Sequence, residues 1–290
     1  MHPAPSVIFF STFSGLGFGL MAFLGLGLPD VTGWVAFTFW FIAYACSVGG
    51  LLASLFHLAN PKNARKALSQ WRSSWLSREG IAAIATLLTA APYAIGRIFF
   101  DTAWQPLGYA TAALALFTVF TTAMIYTQLR TVPRWNTPFT PALFLAYSLS
   151  GGALLAGQPI PAALLLLVTG ALQIAYWWQG DAAERDPEST VETATGLGRI
   201  GATRLFEPPH QGDNYLLREM AYRIARKHAV KLRALALILG AALPAGLLLV
   251  FSATHLVALV AVLSHITGLL AARWLFFAEA RHVQSLYYGL

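Results

Sequence analysis

Eight apolar runs, each close to the ~20 residues needed to cross a hydrocarbon layer, leave this chain few ways to fold. They fall near residues 7–28, 33–56, 81–100, 107–128, 139–157, 160–179, 231–253 and 255–277. None alternates polar and apolar residues, and within lipid every backbone N–H and C=O must find a partner inside its own span. Helices are therefore predicted throughout. The expected fold class is all-α: a polytopic membrane protein, a bundle of eight transmembrane helices in a single membrane domain over 1–290, with one long loop at about 180–230. Composition points the same way, since only 11% of the 290 residues are charged, less than half the ~25% of an average soluble domain. The first run lacks a basic leading segment and is too long for a signal core, so it is read as a retained span.

Charge placement orients the bundle. Of nineteen Lys and Arg, all but Arg97 fall in 57–80, in the connection holding Arg130 and Arg134, between Arg185 and Arg233, or at Arg273 and Arg281. With eight spans these positions share one face with both termini, while the short opposite connections carry Asp30 and Asp101. Excess Lys and Arg marks cytoplasmic loops. Both termini and the basic loops are therefore expected in the cytoplasm of a bacterium, the spans in its inner membrane. Runs five and six, separated only around Gln158 and Pro159, should form a tight hairpin. Gly15, Gly17, Gly19, Gly49, Gly50, Gly151 and Gly152 are expected to let helices approach closely.

The single Cys46 excludes an iron–sulfur cluster in this chain, because clusters need several thiolates. A bis-histidine haem needs two imidazoles at matching depth. Among His2, His57, His210, His228, His255, His265 and His282 no such pair is forced, so haem b is not expected and His265 reads as a core histidine bonded to a neighbouring helix. Nucleic acid is not an expected partner; membrane lipid is.

The stretch HLANPKNARKALSQWRSSWLSREG (57–80) holds the ionisable groups placed where one span leaves the hydrocarbon and the next begins. Such groups are expensive at that depth unless they have a task. His57 can trade protons near neutrality, and Glu79 can serve as an acceptor if burial favours it. Arg72 and Arg78 are placed to orient a carbonyl or to hold Glu79 ionised, and Trp71 and Trp75 offer flat faces to a ring. Those parts suit a lipid-borne quinone. The competing reading is an interfacial amphipathic helix, with Trp at headgroup level and Lys/Arg on anionic lipid. The long loop is too polar for lipid and too apolar for a tether, and a short amphipathic helix is expected over 213–226. GLGRIG (196–201) is not GxGxxG and no strand precedes it, so nucleotide binding is not expected. A secondary transporter is a further alternative, though the deep spans hold little acid or base beyond His265 and Arg97; so is a purely structural anchor.

Taken together, MHPAPSVIFFSTFSGLGFGL at the start, the 57–80 stretch, QIAYWWQGD (173–181) and TATGLGRIGATRLFEPPHQGDNYLLREMAYRIARKHA (193–229) resemble the membrane-anchor subunits of dimethyl sulfoxide reductase-type molybdoenzyme complexes. The resemblance implies a three-part complex, in which a molybdopterin catalytic subunit and a four-cluster ferredoxin-like iron–sulfur subunit dock on an anchor that exchanges electrons with ubiquinone or menaquinone without its own haem. It implies that His57, in an H-L-x-x-P motif, and Glu79, in a W-L-S-x-E motif, are the catalytic pair of the quinone site. Trp71, Arg72, Trp75, Ser77 and Arg78 would line that site. Lys62, Arg65, Lys66, Arg199 and Arg204 are the expected docking residues for the partner. Sulfite-oxidising relatives keep their catalytic pair in the cytoplasm and dimethyl sulfoxide reductases face the periplasm. The charge count therefore favours an anchor passing sulfite-derived electrons to quinone, with quinol oxidation for dimethyl sulfoxide reduction as the alternative.

Overall fold

The computed structural model describes residues 1–56, 66, 68–207, 210, 212, 228–251 and 254–288. Its long elements are helices α1 Pro5–Gly25, α2 Gly33–Leu55, α3 Trp75–Phe99, α4 Gln105–Thr127, α5 Phe139–Leu155, α6 Pro159–Arg185, α7 Ala229–Val250 and α8 His255–Ala278. Seven are long and apolar enough to cross a membrane, and α5 is a shorter apolar helix of 17 residues, at the lower limit for a span. The chain is a polytopic helical membrane protein, as expected. Among the described residues there is no strand. The expected helix at 213–226 lies outside the described residues.

Contacts between helices divide the bundle in two. In the first half α1 packs on α2, α2 on α3, α3 on α4, and α4 back on α1; in the second α5 packs on α6, α6 on α7, α7 on α8, and α8 back on α5. Two four-helix units result, joined where α1 meets α5 and α8 and where α4 meets α5. Helix α1 is the shared axis, with Leu16, Phe18, Leu20 and Met21 almost wholly enclosed. Glycine makes the seam possible. A Cβ on Gly19 would run into the Ser148 carbonyl of α5, and one on Gly152 would meet the Gly19 backbone. Ser148 Oγ then donates to the Gly15 carbonyl at 2.7 Å. Gly17 and Gly50 form a similar close approach between α1 and α2, whereas Gly15 and Gly49 face open space.

Helix α7 is interrupted by a π-helical turn at Ile238–Ala242, just before Pro244. Proline has no N–H to give, so carbonyls one turn back lose their helical donor. Two side chains of α8 replace it: Ser264 Oγ donates to Leu239 O at 2.8 Å, and His265 Nδ1 bonds Gly240 O at 2.6 Å. A carbonyl only accepts, so Nδ1 carries the proton. The expected core histidine bonded to a neighbouring helix is what the structure shows.

At one end of the bundle the described charged groups of the α4–α5 connection and of α6, α7 and α8 meet. There Arg134 bonds Asp181 at 2.7 Å and Glu184 at 3.1 Å, while Arg233 bonds Asp181 and Glu279. This network ties the α4–α5 connection to the ends of α6 and α8 and the start of α7. Burial opposes the Arg134 charge, but Glu184, Glu279 and the Asp181 hydrogen bond overcome it and push the guanidinium above its ordinary value. The Met1 amine donates to Ala280 O at 2.6 Å, so the start of the chain meets the end of α8 on this face. At the far face Arg97, the basic residue expected there, pairs with Asp30.

Candidate functional site

Helix α3 starts at Trp75, six residues before the apolar run from Ile81 that marked it in the sequence. Ser74 makes the early start possible: its hydroxyl accepts from the Ser77 N–H at 3.5 Å and satisfies a first-turn donor. Arg78 and Glu79 are therefore within the first turns of a helix and point to opposite sides of it. Arg78 turns outward and back. Its Nε donates to Trp71 O at 2.9 Å, its Nη2 to Arg72 O at 2.7 Å, and the guanidinium lies 4.3 Å from the Trp75 ring centroid. The expectation that Arg78 would hold Glu79 ionised is not what these bonds do; they clip the preceding turn onto α3. Arg72 lies over Trp71 at 5.3 Å, and both are exposed. Trp75 is half-buried, edge-on to Phe120 of α4, and Ser77 is buried.

Glu79 turns inward, with 5% of its surface exposed. Its partner is a residue that the charge pattern of the sequence does not single out. Thr122 of α4 donates to Glu79 Oε1 at 2.5 Å, and the same hydroxyl lies 3.0 Å from Thr118 O. One hydroxyl has one proton and two acceptor lone pairs. When Glu79 is ionised, Thr122 gives that proton to the carboxylate. When Glu79 is protonated, the carboxyl can donate to the Thr122 oxygen while Thr122 donates to Thr118 O. Thr122 thus keeps Glu79 Oε1 paired in both states, which suits a residue that gains and loses a proton in a low-dielectric setting. Further in, Thr86 and Thr118 share a hydrogen bond of 3.0 Å across the same α3–α4 seam.

His57, the expected partner of Glu79, lies outside the described residues, as do Lys62 and Arg65. Of the other expected docking residues, Lys66, Arg199 and Arg204 are all exposed. Arg199 follows the short helix Val191–Thr195, which is closed by Gly196 in the left-handed region at φ 70°. A small cavity of about 110 Å³ also opens on the basic face, lined by Arg134, Glu184, Arg281, His282 and Leu286 among others.

The described residues offer little to a metal or haem. No group of three or more His, Cys, Asp or Glu among them is placed to hold a metal ion. His265 Nε2, the atom left to ligate iron, is sealed and faces Gly151; even a methyl-sized Cβ there would sit 3.0 Å from it. That position does not fit a haem. A second buried polar group is also hidden in the sequence: Arg273, placed with the basic connections by its position, lies enclosed within α8, 3.6 Å from the Phe144 ring centroid.

Comparison with known proteins adds two findings. Residues 2–172 match the family described as the DMSO reductase anchor subunit. Over an alignment of 329 residues the chain is 32% identical to a sulfite dehydrogenase subunit from Allochromatium vinosum, and the match covers 99% of each protein. No solved structure matches the chain.

Proposed function

This chain belongs to the DMSO reductase anchor-subunit family, and from that premise we propose that it is the quinone-reactive membrane anchor of a molybdopterin and iron–sulfur oxidoreductase complex that oxidises sulfite. The observation that carries the reading is the end-to-end similarity to a subunit of a sulfite dehydrogenase. Supporting it is a buried carboxyl, Glu79, held by a hydroxyl able to serve it in both protonation states, on the face that carries the basic connections. The chain itself has one cysteine, so electrons must reach the membrane through a docked cluster protein. A molybdopterin subunit would turn sulfite and water into sulfate, two electrons and two protons. The quinone, as the second substrate, takes up two electrons and two protons at the anchor. Electron transfer of that kind needs a proton path beside an apolar opening, and Glu79 with Thr122 supplies the protonatable group of that path, with His57 as its second member.

The side of the membrane follows from charge. Excess Lys and Arg on the face with both termini puts that face in the cytoplasm, and with it the docking residues Lys66, Arg199 and Arg204 and the iron–sulfur partner. A second reading has one specific observation in its favour: the family match is to anchors of dimethyl sulfoxide reductases, whose quinone chemistry runs the other way through the same parts. The deciding experiment is to purify the complex from the membrane with its partner subunits. Sulfite should reduce decyl-ubiquinone, and removal of this chain should abolish that activity while leaving dye-linked sulfite oxidation intact. A complex that oxidises quinol with dimethyl sulfoxide and leaves sulfite untouched would overturn the assignment.

A further inference from the structure

The end of α6 stands clear of the hydrocarbon. The helix has 27 residues, about 40 Å at its 1.5 Å rise against ~30 Å of hydrocarbon, and its charged residues begin at Asp181. There it forms one wall of the cavity of about 110 Å³, with the α4–α5 connection and the C-terminal turn Val283–Tyr288 as the others. Pro133, Ala183, Pro187, Val283 and Leu286 make the lining largely apolar. Bonds within the chain set its shape: the Val283 N–H donates to Thr131 O at 2.9 Å, and the Gln284 N–H to His282 Nδ1 at 3.1 Å. The volume is well below the ~300 Å³ at which small-molecule pockets begin, so it suits one side chain rather than a cofactor. A more open space beside it shares Glu184 and Arg281 and adds Asp181 and Arg185. The two acids are already held, Asp181 by Arg134 and Arg233, and Glu184 by Arg134. The two arginines are not. Arg281 Nε is 4.0 Å from Glu184, and among the described residues Arg185 Nε donates only to the Asp181 carbonyl, at 3.3 Å. Asp186 and Glu188, next along the chain, are outside the lining.

We propose that this corner is a docking socket for the iron–sulfur subunit, which seats one apolar side chain in the cavity and a neighbouring carboxylate on Arg281 and Arg185. The inference rests on the functional reading above and adds to it an interaction surface distinct from Lys66, Arg199 and Arg204. Position selects the occupant: the cavity lies beyond the lipid tails, on the face assigned to the partner, so an acyl chain would have to leave the hydrocarbon to fill it. Charge selects it too, because the uncommitted groups at the mouth are both guanidiniums. Protein interfaces are built this way, with an anchor side chain in a desolvated pocket carrying much of the binding energy and a polar rim excluding water around it. A socket already shaped by its own hydrogen bonds adds to affinity, since no loop has to be ordered on binding.

The test uses the whole complex, purified through a tag on the anchor. Ala183→Trp fills the cavity from the outer end of α6. It should weaken retention of the iron–sulfur subunit about thirtyfold, the loss expected when one hot-spot pocket is blocked, while the anchor itself is still recovered from the membrane. Equal retention in parent and variant would overturn the inference. Arg281→Ala should weaken retention up to about fivefold at low ionic strength and little in about 1 M salt, where exposed pairs are screened; no loss at either salt would overturn the carboxylate contact. Should Ala183→Trp fail to reach the membrane, a diazirine analogue of leucine at position 286 decides instead. An adduct with the iron–sulfur subunit supports the proposal, and adducts confined to lipid or to the anchor itself refute it. A parent complex that carries no iron–sulfur subunit at all would count against the functional reading, so the two failures are distinguishable.

Discussion

Replacing Thr122 with valine is the sharpest perturbation of the site. The two side chains have nearly the same shape, so α4 keeps its packing while Glu79 loses its partner. With 5% of its surface exposed, the carboxyl has little water to replace that bond. A hydrogen bond to a charged group contributes about 1.5–3 kcal/mol, and about 1.4 kcal/mol is tenfold in a rate or equilibrium. Quinone-linked turnover should therefore fall roughly ten- to hundredfold. Thr122→Ser, which retains the hydroxyl, should recover most of it. The assay is sulfite-dependent reduction of decyl-ubiquinone by the solubilised complex, divided by its dye-linked sulfite oxidation, so that assembly defects cancel. A valine variant within twofold of the parent, or a serine variant no better than valine, would refute the view that Thr122 serves Glu79 in both protonation states.

Other expectations follow from the ion network, the π-turn and the charge asymmetry. Arg134→Met leaves Asp181 and Glu279 with Arg233 but strips Glu184 of its close partner; the loss should fall near the lower end of the ~3–5 kcal/mol for breaking a buried ion pair. It would be read as a lower midpoint of thermal inactivation, and an unchanged midpoint would count against the network. His265→Leu orphans the Gly240 carbonyl at about 1–3 kcal/mol, lowering thermal stability of the complex without changing its quinone KM; loss of quinone turnover at unchanged stability would instead reveal a chemical role. Fusions after Leu290 should give fluorescent GFP and inactive alkaline phosphatase if the basic face is cytoplasmic, and the reverse pattern would move the partner subunits to the other side of the membrane.

The helices themselves were plain in the sequence, because a span in lipid is set by length and apolarity alone, and both are local properties. Their grouping was not. That α1 is the shared axis of two four-helix units depends on Gly19 meeting Ser148 and Gly152 across the bundle, and a glycine in an apolar run looks the same whether it faces another backbone or open space, as Gly15 and Gly49 do. The start of α3 was missed for a different reason. Apolarity begins at Ile81, but the helix is set by the cap at Ser74, a signal that stands in the sequence as a serine three residues before Ser77 and is outweighed by the charged residues around it.

At the site, charge was legible and hydroxyls were not. Glu79 stands out because an acid at the margin of an apolar run is rare, whereas Thr122 is one of many threonines in α4 and becomes special only when α3 docks beside it. The same asymmetry explains Arg78. Its charge suggested an electrostatic partner for Glu79, yet neighbouring residues on a helix point apart, and the guanidinium is claimed by the carbonyls of Trp71 and Arg72. Spacing alone therefore argued against an Arg78–Glu79 pair. What it left open was the identity of the inward partner, and a hydroxyl fits that place better than a second charge would. An arginine there would hold the carboxyl permanently ionised, while a threonine lets it release and recover a proton with Oε1 paired in either state.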